Sequence, residues 1–431
     1  MSQGRRFLFA IVEGGGNVPV QLGVVRRLVA RGHEVRVLAD GVLEPEVRAA
    51  GGAFRPWRRA PQQNMRSQTA DRVRDWEASS PLKALGRLGD ELFFGPAARY
   101  ADDMLEEIGA SPVDALAVDQ LVYGAMVAAE KSRLPTAVLM HSTCLLDLPG
   151  LPPYGLGLRP GRGPHGRLRD WLLKRVAHRI FDGVGRARLN QLRAAHGLPP
   201  LRHALDQLTQ LDRVLVFTSP AFDFTPRSVP ANLRYVGPVL DDPEWVEPWT
   251  SPFAKGDDRP LALVALGSTF QNQKGALERL IAALGSLPVR GLVTLGGVFD
   301  PSELPAPDNV KVVRSAPHSV VLPQARVVVA HGGHGTVMKS LAAGVPLLCV
   351  PLGRDQVDNA TRVVVHGVGL MRKSKASSPS YRTALERLLA DASFTESARR
   401  LGETIRRDAA ESSTLTELES LASRPVARAA A

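Results

Sequence analysis

Two doubly wound, parallel-sheet α/β halves facing each other across a cleft are what this sequence predicts, on three observations. Short apolar, β-branched runs alternate with stretches of helical period along most of the 431-residue chain. A strand, a glycine loop, a helix and a second strand follow one another at 6–39, and the same succession recurs at 326–351. Between the two, residues 241–252 are rich in proline and tryptophan and read as a linker.

Residues 6–12 read as the first strand and Glu13-Gly14-Gly15-Gly16-Asn17 as its loop. A helix runs from Pro19 to Arg31, with Leu22, Val25 and Val29 on one face and Gly32 just past its end. Residues 34–39 are the second strand. Residues 56–100 are less regular and scatter Trp57, Met65, Trp76, Phe93 and Phe94 among arginines. Strands follow at 114–119 and 134–140, with a helix at 121–132 between them and His141 closing the second strand. Residues 148–166 are dense in Gly and Pro and read as a loop. A basic amphipathic helix is expected over 167–193, with Leu172, Val176, Ile180 and Val184 at intervals of four. Such a helix covers a domain or lies on an acidic membrane surface, the first being the commoner use.

Strands at 213–217 and 233–236 complete the first half. Strands at 261–266, 289–295, 310–313, 326–330 and 346–350 build the second, and 381–420 is helical by period. The expected domains are 1–240 and 259–405 on either side of a 241–258 linker. A helix at 406–424 follows, and 425–431 is expected to be a disordered tail.

The most informative stretch is 326–370. After its strand, His331-Gly332-Gly333-His334-Gly335 is a glycine loop. From Thr336 the pattern turns helical, with Val337 and Leu341 four apart and Gly344 beyond the end. A helix N-terminus carries about half a positive charge, and glycines admit a close approach to free backbone N–H groups, so an anion fits there. Asp355 and Gln356 follow the next strand and offer acceptors and donors suited to sugar hydroxyls.

His331-Gly332-Gly333-x-Gly335-Thr336, Gly344-Val345-Pro346 and Pro351-x-x-x-Asp355-Gln356-x-x-Asn359-Ala360-x-Arg362-Val363 together resemble the donor-site signature of family-one glycosyltransferases. That family glycosylates macrolides, polyketides and other small lipophilic acceptors, from dTDP- or UDP-sugars. The resemblance implies the glycosyltransferase-B architecture, with the last helix returning to the first domain. It also implies a diphosphate held by His331, Gly332, Gly333, His334, Gly335 and Thr336, with Gly267, Ser268 and Thr269 beside it, and a sugar held by Asp355 and Gln356. The acceptor is expected against Gly16, Asn17, Trp76, Phe93 and Leu145. Where the family places a glutamate for the ribose, this chain has Lys339, which suits a deoxyribose donor or a solvated helix position.

The family's usual base is a histidine three residues before a proline in the first loop, oriented by an aspartate after a middle strand. Here the proline is Pro19, Gly16 holds the histidine's place, and Asp119 is the aspartate's counterpart. Asp119 is ranked first as base, His141 second and Glu13 third; an acidic acceptor needing little help is a further account. No Asp-x-Asp occurs, so no metal and no cofactor are expected.

Composition bounds the rest. The net charge of +11 favours anionic partners, but no nucleic-acid module accompanies it. There is no apolar run of about 18 residues and no leader-like start. Cys144 and Cys349 stand apart in apolar settings, which fits a reducing cytoplasm. The expected activity is inverting, metal-independent transfer of a hexose or deoxyhexose in bacterial secondary metabolism, such as antibiotic biosynthesis. Membrane-surface contact and a homodimer are secondary expectations. The rival readings are a sugar-nucleotide-binding auxiliary protein without turnover, a membrane-surface glycosyltransferase with a lipid acceptor, a sugar-nucleotide epimerase, and a dinucleotide-dependent oxidoreductase. The last rests on Gly14-x-Gly16 and Asp40.

Overall fold

The computed structural model describes residues 4–66, 68, 71–242 and 249–424. Thirteen strands form two wholly parallel sheets. In the first, β1 (Arg6–Ala10), β2 (Glu34–Ala39), β3 (Ala53–Pro56), β4 (Ala115–Asp119), β5 (Thr136–Met140), β6 (Arg213–Val216) and β7 (Leu233–Tyr235) are ordered β3-β2-β1-β4-β5-β6-β7. In the second, β8 (Leu261–Ala265), β9 (Arg290–Thr294), β10 (Val310–Val313), β11 (Ala325–Ala330), β12 (Leu347–Cys349) and β13 (Gly369–Met371) are ordered β10-β9-β8-β11-β12-β13. Phe9 pairs with Val37 and Val328 with Leu347, so each sheet is in register through its centre.

Both faces of each sheet are covered, which is why the strands read as continuous apolar runs. Alternate residues still part company. Leu8, Ala10, Leu116 and Val118 enter one core, while Phe7, Phe9, Ala115 and Ala117 enter the other. Leu418, Leu421 and Ala422 of the helix Thr414–Ala422 join that second core, so the chain's last described helix seals the first sheet. The helix Ala392–Ala410 instead packs on His334–Ala342, with Gly402 so close to the Leu341 carbonyl that a Cβ there would lie 2.0 Å from its oxygen.

Several boundaries differ from the sequence expectation. The 167–193 helix starts earlier and runs from Gly163 to Ala195. Its expected stripe does not keep to one side: Leu172 and Val176 are exposed, while Ile180 and Val184 turn inward. Steps of four residues advance about 40° per repeat against a 3.6-residue turn, so the stripe winds from surface to interior. Among its described residues the 56–100 segment contains two α-helices, Pro81–Leu88 and the start of Ala97–Ala110, and Trp57 is fully buried with its Nε1 donating to Ile11 O at 3.1 Å. Trp57 and Phe94 are therefore core residues. The 381–420 region divides into Ser378–Ala390, Ala392–Ala410 and Thr414–Ala422. The tail at 425–431 and part of the linker, 243–248, lie outside the described residues.

Candidate active site

A doubly wound sheet opens a crevice where neighbouring strands lead their helices to opposite faces. In the first sheet that point lies between β1 and β4, and in the second between β8 and β11. The Glu13–Gly16 loop, Asp119, the 267–269 turn and the 331–336 loop thus all sit at carboxyl ends beside a switch point. The Glu13–Gly16 loop, the 267–269 turn and most of the 331–336 loop line one cavity of about 1440 Å³, and Asp119 lies behind its wall. Gly15, at φ +82°, comes so close to the second sheet's loops that a Cβ on it would stand 2.7 Å from Thr269 Cγ2.

On the donor side, the helix begins at His334 rather than Thr336, with Gly333 as its cap and no side-chain capping bond. Its first N–H groups stay available on the cavity side. A Cβ on Gly335 would meet nothing within 4 Å, whereas one on Gly333 would lie 2.3 Å from His331 Nε2. The His331 ring therefore lies packed against the loop, and burial holds its pKa below the usual value, so it is neutral at pH 7 before an anion arrives. Ser268, Thr269 and Thr336 line the same wall.

Three donor-side expectations need correction. Gly332 does not line the cavity; at φ +92° it lies under the Gln356 carbonyl. His334 touches the cavity wall, but its Nε2 is bonded to Thr218 Oγ1 at 2.9 Å, and burial pushes its pKa down to about 3. It bridges the two halves as a neutral ring. Gln356 is occupied at both ends: Oε1 accepts from Leu352 N at 2.7 Å and Gly353 N at 3.1 Å, while Nε2 donates to Gln271 Oε1 at 2.7 Å. Among the described residues, Asp355 has one oxygen engaged, Oδ2 by Asn359 Nδ2 at 3.0 Å, and no donor to Oδ1.

Across the cavity, Asp119 is fully buried and is not among the lining residues. Its Oδ2 accepts from Asn17 Nδ2 at 2.7 Å and from Gln21 Nε2; its Oδ1 accepts from Leu121 N at 2.9 Å and faces His141 Nε2 at 3.4 Å. A carboxylate so enclosed cannot reach an acceptor, which removes it from direct proton abstraction. His141 does line the cavity. Its Nε2 also stands 3.3 Å from Gln120 Nε2, while Gln120 Oε1 is buried without a partner. Turning that amide by 180° lets the oxygen accept from Nε2–H, in keeping with the Asp119 carboxylate that faces the same nitrogen at 3.4 Å and favours a proton there. The lone pair is then on Nδ1.

Glu13 lines the cavity but is also committed. Arg66 Nε reaches its Oε2 at 2.8 Å, and Gly15 N donates to Oε1 at 2.7 Å. Asp40, the acid of the dinucleotide reading, accepts from Glu13 N at 2.6 Å and Gln63 N at 2.9 Å, and burial pushes it up to about 6. It ties two loops together, with one backbone donor on each oxygen. Of the acceptor-side expectations, Gly16, Asn17, Trp76, Phe93 and Leu145 all line the cavity, Trp76 edge-on to Phe270 of the second half at 4.9 Å. Asn17 serves Asp119 and the Val12 carbonyl, 2.8 Å away.

Lys339 is not solvated. It is buried at the cavity wall and paired with Asp242 at 3.3 Å, whose other oxygen accepts from Ser319 N at 3.0 Å. Sequence reasoning named Lys339 but not Asp242, since no periodicity links a helix residue to a linker carboxylate 97 positions earlier. It also missed Arg354, held at φ +56° and joined to Asp75 of the first half at 2.9 and 3.2 Å.

Two facing doubly wound domains with a cavity between their carboxyl ends are the glycosyltransferase-B architecture. Residues 278–421 match the family described as Erythromycin biosynthesis protein CIII-like, C-terminal domain. The chain is 30% identical over 411 residues to 4'-demethylrebeccamycin synthase of Lentzea aerocolonigenes, covering 92% of this chain and 95% of that one. It is 34% identical over 217 residues, about half of each chain, to a PGL/p-HBAD biosynthesis glycosyltransferase of Mycobacterium tuberculosis. Among solved structures, CalG4, the calicheamicin glycosyltransferase, superposes with a TM-score of 0.75 at 25% identity over 98% of this chain and 99% of that one. The chain belongs to the family-one glycosyltransferases, in their natural-product, antibiotic-biosynthesis branch. Among the described residues, no helix is long and apolar enough to cross a membrane.

Proposed function

We propose that this glycosyltransferase moves a hexose or deoxyhexose from a dTDP-sugar to a hydroxyl of a lipophilic aglycone, with inversion, using His141 as the base. The observation that carries the reading is the Asp119–His141 pair, 3.4 Å apart, across the cavity from the 331–336 loop. Asp119 holds Nε2–H, and Nδ1 takes the acceptor proton as its oxygen attacks the anomeric carbon. The bond from that carbon to the diphosphate oxygen breaks, and its electron pair leaves with the nucleoside diphosphate. The helix N-terminus, the hydroxyls of Ser268, Thr269 and Thr336, and His331 are positioned to spread that charge without a cation. An anion bound beside His331 raises the ring's depressed pKa, because the added negative charge opposes the desolvation that keeps it neutral.

The donor base and ribose belong beside Lys339. A glutamate there would accept from two ribose hydroxyls; Lys339 only donates and is already drawn to Asp242. That supports a deoxyribose donor. The leucine, phenylalanine and tryptophan side chains around the acceptor lobe, and relatives named for natural-product pathways, support a lipophilic aglycone. The division at 1–240, 241–258 and 259–405 is supported by the placement of β7 and β8, and the return helix by its contacts with the first core.

A matrix of dTDP- and UDP-sugars against aglycones, read by mass spectrometry and anomeric NMR, tests the reading. Inverted glycoside from dTDP donors is expected, with full rate in EDTA. Binding without turnover across the panel, retained configuration, or activity lost in EDTA and restored by divalent metal would each overturn the corresponding part.

A further inference from the structure

The helix Gly163–Ala195 carries on its outward side a cluster that the transfer reaction does not use. Leu168, Trp171, Leu172 and Val176 are 54, 48, 49 and 53% exposed, far more than apolar side chains of a covering helix need be. They fall within an arc of about 140°, and Arg175 and Arg179 lie inside the same arc. Arg175 lies over the Trp171 ring at 4.0 Å. Between 159 and 179 there are seven Lys or Arg residues and one acid, Asp170, which is bonded to Arg169 at 2.6 Å and to Gly161 N at 2.7 Å. Arg162, Arg167, Arg175 and Arg179 have no acidic partner among the described residues.

The other side of these same turns faces the acceptor lobe: Lys174, Ala177, His178, Ile180 and Phe181 line the cavity. One helix thus has a cationic, aromatic-bearing apolar surface outside and the acceptor pocket inside. We infer that this outward face seats the enzyme on an anionic lipid surface, from which a membrane-dissolved acceptor enters the lobe behind the helix. Charge decides the occupant. A second copy of the same face would set unpaired arginines against each other, whereas anionic headgroups neutralise them while the Trp and Leu side chains enter the interface. The purpose rests on the lipophilic acceptor proposed above; the binding itself does not.

Sedimentation of the full chain with vesicles of phosphatidylcholine, alone or with about one third phosphatidylglycerol, tests this. The expected result is binding to the anionic vesicles at least roughly tenfold tighter than to the neutral ones, weakening with added salt. Trp171→Ser/Leu172→Ser and, separately, Arg175→Glu/Arg179→Glu are each expected to lose roughly tenfold in vesicle binding. Both are expected to keep the wild-type rate on a water-soluble acceptor without vesicles. No partition of the wild type into anionic vesicles, or partition unchanged in both double variants, overturns the proposal. So does a wild-type dimer in sedimentation velocity that both variants convert to monomer while no vesicle binding is seen. If transfer fails for every acceptor in the vesicle-free assay, the proposed function falls and the vesicle result stands by itself.

Discussion

In the proposed reaction, His141 and Asp119 take the parts that a first-loop histidine and its aspartate play in the family. His141 ends β5 and Asp119 ends β4, and β4 pairs with β5 in the sheet, so adjacent strand ends bring them together. At the start of the helix Asn17–Ala30, Asn17 donates to Asp119 Oδ2 and holds it from the other side. His141→Ala is expected to lower kcat by about 10²- to 10⁴-fold with the donor KM unchanged. Asp119→Asn is expected to fall into the same range, with thermal unfolding used to verify that the Asn17 and Gln21 contacts survive. Near-wild-type kcat in both would remove His141 from the reaction. At Lys339, exchange for Ala leaves the partly buried Asp242 carboxylate without its cation. It is expected to raise the donor KM roughly tenfold and to narrow the preference for dTDP- over UDP-hexose, measured by competition; an unchanged ratio would put the nucleoside elsewhere. The residue types at 119, 141 and 339 were readable from the chain. Their assignments were not, because accessibility and partners decide which of three acids or imidazoles can meet a substrate.

The loops and short helices between strands do most of the positioning. Gly155 N and Gly157 N donate to Asp358 Oδ2 and Oδ1 at 2.5 and 2.9 Å, and Thr361 Oγ1 donates to Gly157 O at 2.8 Å. The 148–162 loop of the first half is thereby fastened to the helix Gln356–Val365 of the second. Burial raises Asp358 from 3.8 to about 6 despite those two donors. A carboxyl whose folded pKa is raised binds a proton more readily in the folded chain than in the unfolded one. Its contribution therefore lowers stability as pH rises from about 4 to about 6, by about 3 kcal/mol at most above that window. Asp358→Asn is expected to flatten this part of the Tm-against-pH curve between pH 4 and 7. An identical curve would mean that the group titrates as it would in water. At this scale the glycine loops and alternating strands were legible because local backbone geometry demands them. The stripe on Gly163–Ala195 was not legible as one face, because each step of four residues overshoots a 3.6-residue turn by about 40°.

The two sheets are clasped by ion pairs that join the halves, Arg354 with Asp75 and Arg362 with Asp223 at 2.7 Å, while Lys339 with Asp242 ties the second half to the linker. Arg362 and Asp223 are both nearly inaccessible, so breaking that pair by removing one partner costs about 3–5 kcal/mol. Arg362→Met is expected to lower Tm by several degrees and to loosen the cleft, read as faster hydrogen exchange at 155–157 and 218–224. Unchanged exchange there would show that the clasp does not hold the halves. What the sequence determined by itself was the parallel α/β plan, the two switch-point loops and the donor-site signature. Each of these is a local pattern of apolar period, glycine and helix start that neighbouring residues enforce. Which acid is buried beyond reach, which imidazole faces the cavity and which linker carboxylate answers Lys339 were decided only by the tertiary structure. Those are contacts between segments tens to hundreds of residues apart, and burial and pairing are properties that a side chain acquires from its neighbours in space.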